Sequence, residues 1–323
     1  MYGVRQASGA STITNSNIHS NQGSGGNGVY ISTGTSTVSS NQIHDNAYYG
    51  VAVVGGTVTL TDNTFSNNWR SAVYVDFNGD PSLTHTGNSS SGTSGINGIV
   101  VSGYLYSDQT LTAGDLPYVI FSYSTFYVSS GTTLTLEPGA ILKLGSQGVL
   151  TVDGTLNAQG TSTSAIYFTS LSDDSIGGDT NNDWGPSSPA AGDWDTIQVD
   201  SGGTANISYA LISYGGYNNF NRSKAELYLN GGTVNLDNSE VATVPVYDVR
   251  QDSGVSTITN SNIHNANAGF YLVGGSASIS SNSIHDNVYG IYAVGGNLCP
   301  DPDNNNYANN TVNTDTSGAT HNC

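Results

Sequence analysis

The stretch Val4–His19, VRQASGASTITNSNIH, decides the fold, because it returns almost unchanged as VRQDSGVSTITNSNIH at Val249–His264. Fourteen of the sixteen positions are identical. A second phrase follows each copy, SSNQIHDN from Ser39 and SSNSIHDN from Ser280. Such internal repetition is the sequence signature of solenoids, propellers and repeat arrays. We interpret the chain as one long unit preceded by the tail of another copy.

A shorter period lies within these copies. Apolar residues recur every 21 or 22 positions, and the clearest sets are Leu236, Ile258 and Ile279, then Val241, Ile263 and Ile284, then Ile43 and Phe65. The short β-favouring runs are separated by Gly, Asn and Asp, which suit tight turns. This spacing predicts an all-β parallel solenoid of about 21–22 residues per coil, with three short strands in each coil. A β-sandwich, in which strands recur about every 8–12 residues, does not explain it.

The composition excludes helical folds and several classes of partner. Among 323 residues there are 41 Gly, but only ten Lys, Arg, Glu and Met together, and these four favour helices. The net charge is −18 with six Lys and Arg, which argues against nucleic acid and anionic membranes, because basic residues bind both. No apolar run approaches the roughly 18 residues of a spanning helix, so we expect no membrane insertion.

The phrases NSNIHxN, SSNxIHDNxYGIY and GGxxxI resemble the repeats of right-handed parallel β-helix proteins. That superfamily includes pectate-lyase-like enzymes and many secreted bacterial surface proteins. The resemblance covers about residues 1–78 and 200–298. It implies a right-handed β-helix and an extracellular or cell-surface location in a bacterium. It does not imply an activity, because one fold hosts many chemistries.

The chain divides into four predicted segments. Residues 1–81 are predicted to be β-helix coils, the tail of a preceding unit, and 82–98 a linker or a loose coil. Residues 99–298 are predicted to form a β-helix with an acidic insertion at 171–195. Residues 299–323 are predicted to be a C-terminal cap.

The two cysteines, Cys299 and Cys323, are predicted to form a disulfide that closes this cap, which favours an extracellular setting. The N-terminus begins within a repeat. A solenoid exposes strand edges at an uncovered end. We therefore expect either a piece of a longer tandem protein or self-association through the solenoid ends.

The acidic insertion carries the clearest chemical signal. Asp179, Asn181 and Asp183 alternate as oxygen ligands do in a calcium loop. The full set of candidate ligands is Asp173, Asp174, Asp179, Asn181, Asp183 and Asp193. We predict bound calcium, with a solvated acidic loop as the alternative, since Trp184 follows where an EF-hand has glycine. A second metal candidate, Asp76, Asn78 and Asp80, repeats the spacing.

Catalytic residues are only weakly indicated. Glycosidases need two carboxylates that face one groove, and the candidates are Asp153 with Asp195 or Asp200 on a neighbouring coil. A polysaccharide lyase would use a Lys or Arg beside calcium, and only Arg222 and Lys224 cluster in the sequence. The repeated histidines, His19, His44, His264 and His285, are predicted to stack as structural residues.

Aromatic side chains near the insertion are the predicted glycan contacts, because flat rings stack on sugar faces. These residues are Trp184, Trp194, Tyr214 and Tyr217. The sequence therefore favours a non-catalytic extracellular scaffold of adhesin type. It would bind a polysaccharide or another glycan, or associate end to end, with calcium ordering the insertion. The alternative is a glycoside hydrolase or polysaccharide lyase with its site near residues 171–195.

Overall fold

The computed structural model describes residues 2–92, 95–183, 185–217, 223–299 and 304–322. These residues form an all-β, right-handed parallel β-solenoid of about 13 turns. This confirms the predicted fold class. The described residues contain the short 3-10 helix Phe77–Gly79, and none of their helices is long and apolar enough to cross a bilayer.

The strands are short and follow one another with few intervening residues. The first four coils contain β1 (Val4–Gln6), β2 (Ala10–Thr14), β3 (Asn17–His19), β4 (Val29–Ile31), β5 (Thr35–Ser39), β6 (Gln42–His44), β7 (Tyr49–Val53), β8 (Thr57–Thr61), β9 (Thr64–Ser66), β10 (Ser71–Asp76), β11 (Ser82–Thr86) and β12 (Ser89–Ser91). The next coils contain β13 (Ile96–Leu105), β14 (Gln109–Leu111), β15 (Tyr118–Ile120), β16 (Thr125–Val128), β17 (Thr133–Leu136), β18 (Ile141–Leu144), β19 (Val149–Val152), β20 (Thr155–Gln159), β21 (Ile166–Ser170), β22 (Thr196–Asp200), β23 (Thr204–Ser208) and β24 (Ala210–Ser213). The last coils contain β25 (Ala225–Asp237), β26 (Glu240–Ala242), β27 (Tyr247–Thr259), β28 (Asn262–His264), β29 (Ala268–Leu272), β30 (Ser276–Ser280), β31 (Ser283–His285), β32 (Tyr289–Ala293), β33 (Asn297–Leu298), β34 (Asn306–Ala308) and β35 (Val312–Asp315).

Equivalent strands of successive coils pair in parallel and build the faces of the solenoid. Sheet 1 runs the whole length and consists of β1, β4, β7, β10, the first part of β13, β15, β18, β21, β24, β26, β28, β31 and β34. Sheet 2 consists of the end of β13, β16, β19, β22, the first parts of β25 and β27, β29, β32 and β35. Sheet 3 consists of β14, β17, β20, β23, the last parts of β25 and β27, β30 and β33. In the first four coils, β2, β5, β8 and β11 form sheet 4, and β3, β6, β9 and β12 form sheet 5.

The apolar columns expected from the sequence are present. Leu236, Ile258 and Ile279 lie in register on successive strands, and each is buried to 1% exposure or less. The sets at Val241 and at Ile43 are in register in the same way. Because every coil adds one residue to each column, the core is continuous from one end of the solenoid to the other.

Buried asparagines form ladders at the turns. The Asn63 amide donates to Asn88 Oδ1 at 2.9 Å, and Asn63 Oδ1 accepts from the Asn41 amide at 3.0 Å. Asn21, Asn46 and Asn68 form a second such ladder. These side chains also bond main-chain groups, so they satisfy polar atoms that the turns would otherwise bury without partners.

The described residues of segment 82–98 belong to the solenoid. They contain β11 and β12, which complete the fourth coil, and the start of β13, which pairs with β10. Most of the Ser and Thr side chains of β11 and β12 face outward from ordinary strands. Of the two predicted alternatives, a linker or a loose coil, these residues therefore fit the coil.

The repeated phrase changes face at β13. Its Asn-Ile-His strand lies on sheet 5 as β3 but on sheet 1 as β28. The change arises because the ten-residue β13 pairs through its first part with β10 and β15 on sheet 1, and through its last part with β16 on sheet 2. Two nearly identical sequences therefore lie on different faces.

The predicted histidine stacks are confirmed. The rings of His19 and His44 are 4.9 Å apart with a 3° interplanar angle, and those of His264 and His285 are 4.7 Å apart at 9°.

Residues 304–322 add a further coil through β34 and β35. Cys323 lies outside the described residues, so its disulfide with Cys299 stays a prediction.

Candidate functional site

The acidic insertion folds over the outer face of sheet 1. Lys143 on β18 anchors it, since the fully buried ammonium donates to the carbonyl oxygens of Asp173 at 2.8 Å and Gly178 at 2.9 Å. The main-chain N–H of Asn97 donates to the main-chain carbonyl of Thr180 at 2.9 Å. Burial lowers the pKa of Lys143 to about 8, although Asp173 and other nearby carboxylates favour its charged form.

Three carboxylates of the insertion meet at one point. Asp174, Asp179 and Asp183 each place an oxygen within 4.8 Å of the others, and among the described residues no other group of this kind occurs. Asp174 Oδ1 and Asn181 Oδ1 are shielded from solvent and accept no hydrogen bond. This cluster supplies carboxylate oxygens, the donors that hard cations prefer. It contains three of the six predicted ligands, and a fourth, Asn181, donates from its side-chain amide to Asp183 Oδ2 at 2.8 Å.

The other two predicted ligands are engaged elsewhere. Asp173 Oδ2 accepts from the Thr169 hydroxyl at 2.6 Å, and its Oδ1 accepts from the Ser175 N–H at 3.1 Å. Asp193 accepts from the Ser170 hydroxyl at 2.6 Å and from the Ala190 N–H. Both carboxylates close turns of the insertion and lie outside the group of three carboxylates, so their place in a metal shell stays a prediction.

The second metal candidate does not form a common centre. Asp76 caps the 3-10 helix, since its Oδ1 accepts from the N–H of Asn78 at 3.1 Å and from its side-chain amide at 2.7 Å. Asp80 Oδ1 accepts from Ser107 and from Gln109 on the next coil. The alternating Asp-Asn-Asp spacing therefore serves a turn and a bond between coils.

A polar cleft lies on the outer face of sheet 2. It encloses about 430 Å³ and brings together the three weak catalytic candidates, Asp153, Asp195 and Asp200. Asp153 directly follows Val152, which pairs with Val199, so Asp153 and Asp200 are neighbours on adjacent coils. Tyr127 and Tyr228 are further lining residues. We call this the sheet-2 cleft.

The carboxylates of the cleft differ in their surroundings. Burial and the nearby charge of Asp200 raise the pKa of Asp153. Asp200 accepts hydrogen bonds from the side-chain amides of Gln198, at 2.9 and 3.0 Å, and Asn230, at 2.8 Å. Asp195 is 1% exposed. The raised pKa of Asp153 is of the kind that suits a general acid, and Asp200 lies beside it as a carboxyl group held by amide donors.

Arg250 lines the same cleft but is already paired. Its Nε and Nη2 donate to the two carboxylate oxygens of Asp252, both at 2.7 Å. The guanidinium lies 5.4 Å from the centre of the Tyr228 ring, and burial with the Asp252 carboxylate raises the pKa of Tyr228 to about 12. The cleft therefore presents mainly carboxylates, amides and neutral tyrosines to a ligand.

The cleft belongs to a continuous column of outward side chains on sheet 2. The column consists of Tyr104, Tyr127, Thr151, Gln198, Tyr228, Arg250, Tyr271, Tyr292 and Asp315. Tyr104 and Tyr127 stack at 4.3 Å, and Tyr271 stacks on the neighbouring Tyr247 at 4.5 Å. Aromatic rings thus lie at both ends of the column, with a polar centre between them. Each coil contributes one residue to the column, and neighbouring strands are about 4.8 Å apart.

The predicted aromatic contacts that the structure describes, Trp194, Tyr214 and Tyr217, are not in this cleft. Trp194 is fully buried and its indole N–H donates to the Ser213 carbonyl at 2.8 Å, so its predicted role as a sugar platform is wrong. Tyr214 packs against the core, and Tyr217 lines a smaller hollow of about 340 Å³ with Asp193. Trp184 and Arg222 lie outside the described residues.

A pair of buried carboxyls was not predicted. Glu226 and Asp248 occupy neighbouring positions on β25 and β27, and both are 0% exposed. Glu226 Oε1 accepts the Gly215 N–H at 2.7 Å, whereas neither oxygen of Asp248 has a hydrogen-bond partner. Burial raises the pKa of both well above the usual carboxyl value. Acidic side chains ordinarily lie on the surface, and nothing in the sequence shows that these two are covered.

A family model described as a right-handed β-helix region matches residues 2–154. The solenoid of about 13 turns shows the same fold over the rest of the described residues. The chain is a repeat protein with a right-handed parallel β-helix fold. No curated protein and no solved structure matches this β-helix protein.

Proposed function

We propose that this β-helix protein is a non-catalytic scaffold that binds a glycan in the sheet-2 cleft. The observation that supports this most directly is the sheet-2 outer column, in which stacked tyrosines lie on either side of a polar centre. Tyrosine rings offer apolar faces to pyranose rings, and the carboxylate and amide groups between them accept and donate hydrogen bonds to sugar hydroxyls. Because the cleft lies on a sheet, its groups are held in place before the ligand arrives.

The charge of the cleft selects among glycans. Three aspartates line it, and its one arginine among the described lining residues is neutralised by Asp252. An acidic polysaccharide would meet like charge in a chain whose net charge is −18. The cleft therefore suits neutral glycans or glycans that carry amino groups. An extracellular, bacterial cell-surface location and end-to-end association of solenoids belong to the same proposal.

Calorimetric titration with neutral and amino-sugar oligosaccharides tests this function. We expect Tyr228→Ala to weaken binding by about tenfold or more, equivalent to about 1.4 kcal/mol, because truncation removes an aromatic contact at the centre of the site. Tyr209→Ala is the matched control, since Tyr209 is an exposed tyrosine (37%) that does not line the cleft. Equal losses in the two variants, or no binding by the parent protein across the series, would refute the proposal.

A second candidate, a glycoside hydrolase, is favoured by the adjacency of Asp153 and Asp200. The raised pKa of Asp153 suits a general acid, and the hydrogen bonds to Asp200 hold a carboxylate ready to act as base or nucleophile. The test is the release of new reducing ends from the bound glycan. Loss of this release in Asp153→Asn with binding retained would establish hydrolysis, and intact glycan after long incubation would exclude it for that substrate.

We further propose that the cluster of Asp174, Asp179 and Asp183 binds calcium and orders the insertion. The support is the convergence of three carboxylates with two shielded oxygens that accept no hydrogen bond. Calcium titration followed by thermal unfolding is the test, with Asp179→Asn expected to abolish the calcium-dependent rise in Tm. Asp76→Asn is the control, because Asp76 has the same sequence spacing but caps a helix. A calcium effect that survives Asp179→Asn would refute this assignment.

A further inference from the structure

A second concave surface lies on sheet 1, between β7, β10, β13 and the acidic insertion. It encloses about 530 Å³, and the side chains that matter for recognition are Tyr49, Trp69, Arg70, Tyr74 and Phe121. We call it the aromatic pocket. Its volume falls within the range of about 300–1,000 Å³ that is usual for small-molecule sites.

The floor of the aromatic pocket is apolar although it is the outer face of a sheet. Ile96 and Val100 line it and pack with Val119, Tyr74 and Leu171 in a cluster separate from the main core. Outward positions of a solenoid strand ordinarily face water and are polar. Ile96, Val100 and Val119 are each exposed to 8% or less, so they give the pocket a packed apolar base.

The walls of the pocket offer exposed ring faces. Trp69 is 60% exposed and Phe121 46% exposed. The rings of Tyr49 and Tyr74 stack at 4.5 Å with a 7° interplanar angle, and the Tyr74 hydroxyl hydrogen-bonds Ser102 Oγ at 2.8 Å. The tyrosines are thereby held rigidly while the tryptophan stays open to a partner, an arrangement that suits stacking on a sugar ring.

Arg70 gives the pocket its charge selectivity. Its guanidinium carbon lies 4.6 Å from the centre of the Tyr48 ring and 5.5 Å from that of Trp69. Within the part of the chain that the structure describes, Arg70 forms no ion pair, whereas Arg250 is paired with Asp252. Arg70 shares a side-chain hydrogen bond with Tyr49. Because no described carboxylate pairs with this guanidinium in a chain that carries 24 Asp and Glu, its remaining donors can pair with the carboxylate of a ligand.

We propose that the aromatic pocket binds an acidic sugar, a pyranose unit that carries a carboxylate. The ring stacks on Trp69 and the carboxylate pairs with Arg70, while Ser102, Ser124 and Asn181 lie in the lining to meet hydroxyl groups. This site differs from the sheet-2 cleft in face and in charge. The inference does not depend on the proposed function, since the two sites share no residue.

The test is calorimetric titration of the full chain with cellobiouronic acid and with cellobiose, which differ only by the carboxylate. We expect the acid to bind at least about tenfold more tightly, equivalent to about 1.4 kcal/mol, and the difference to shrink as salt is added. Arg70→Gln should remove this preference and leave weak binding of both sugars. Trp69→Ala should likewise abolish the tighter binding of the acid, and cellobiose bound at the sheet-2 cleft should be unaffected.

Two controls separate the possible failures. Tyr209→Ala, an exposed tyrosine outside the aromatic pocket, should bind both sugars as the parent does, and Asp153→Asn should leave the preference unchanged because it lies in the sheet-2 cleft. Equal affinity for the two sugars, or a preference that survives Arg70→Gln, would overturn the proposal. Binding of neither sugar would also overturn the proposal. In that case, a poly-glutamate peptide that bound through Arg70 would identify an acidic protein segment as the occupant.

Discussion

The asparagine ladder at the turn after sheet 4 gives the sharpest prediction about stability. Asn63 is 0% exposed and its side chain makes four hydrogen bonds. The amide donates to the Val38 carbonyl at 2.8 Å and to Asn88 Oδ1 at 2.9 Å, and Oδ1 accepts from the N–H of Asn41 at 3.1 Å and from its amide at 3.0 Å. Asn63→Ala removes all four. At about 1 kcal/mol net for each bond, the expected loss is about 4 kcal/mol in the free energy of unfolding.

The matched control is Asn206→Ala. Asn206 is also the middle member of a three-asparagine ladder, bonded at 2.9 Å to Asn157 and at 2.9 Å to Asn235, but this ladder faces outward and is partly exposed. Water replaces the lost partners there, so the expected cost is below about 1 kcal/mol. Guanidinium-induced unfolding measures both losses. Because solenoids unfold with limited cooperativity, hydrogen exchange of residues 35–66 locates the effect.

The comparison has a clear failing result. If Asn63→Ala and Asn206→Ala destabilise the protein equally, burial does not decide the value of these ladders and the reasoning is wrong. The same conclusion follows if the amides around Asn41 exchange no faster in Asn63→Ala than in the parent, because the orphaned groups lie there.

Three further predictions concern single buried side chains. Burial raises the pKa of Asp248, so its contribution to stability is present below the ordinary carboxyl pKa and is lost as the pH rises through the folded-state pKa. Asp248→Asn should therefore make the Tm depend less on pH between pH 4 and pH 8, roughly the range above the usual carboxyl value. An unchanged dependence of Tm on pH would contradict this. The pKa of Lys143, lowered from 10.5 to about 8, makes stability rise with pH between these values, since the unfolded state binds the extra proton. Lys143→Met should lack this rise in unfolding experiments. Trp194→Phe should lower stability by about 1–3 kcal/mol because the buried Ser213 carbonyl loses its donor, while glycan affinity measured by calorimetry stays at the parent value; a fall in affinity would restore Trp194 to the binding site.

The fold was predictable because the coil length of the solenoid fixes the spacing of apolar residues in the sequence. Each coil must bring an apolar side chain to the same column, so Leu236, Ile258 and Ile279 recur at the coil length and pair as the spacing requires. The change of face at β13 was not predictable. It depends on how a ten-residue strand turns between two sheets, and its sequence shows only a continuous β-favouring run.

The candidate sites were predictable in part for a similar reason. Asp153 and Asp200 follow aligned strands, so register alone makes them neighbours. Trp194 was predicted to contact a glycan because it is an aromatic residue of the acidic insertion. Its ring is buried against Gly215, where an added Cβ would lie 2.8 Å from the indole, so a glycine elsewhere in the chain makes room for it. Such a fit between distant residues leaves no periodic trace in the sequence.

The change of face also sets how this molecule would respond to pulling. Main-chain hydrogen bonds between coils run along the solenoid axis, so axial tension loads them directly. Sheets 4 and 5 end with the fourth coil, and sheet 1 is the sheet whose ladder continues across to the fifth coil, through β10 and β13. Beyond that ladder, contacts such as Asn78 with the Tyr104 N–H and His85 with Tyr118 hold the joint. The solenoid is therefore mechanically weakest at the junction between the fourth and fifth coils, about a third of the way along. Under tension we expect it to separate there before the coils on either side unfold.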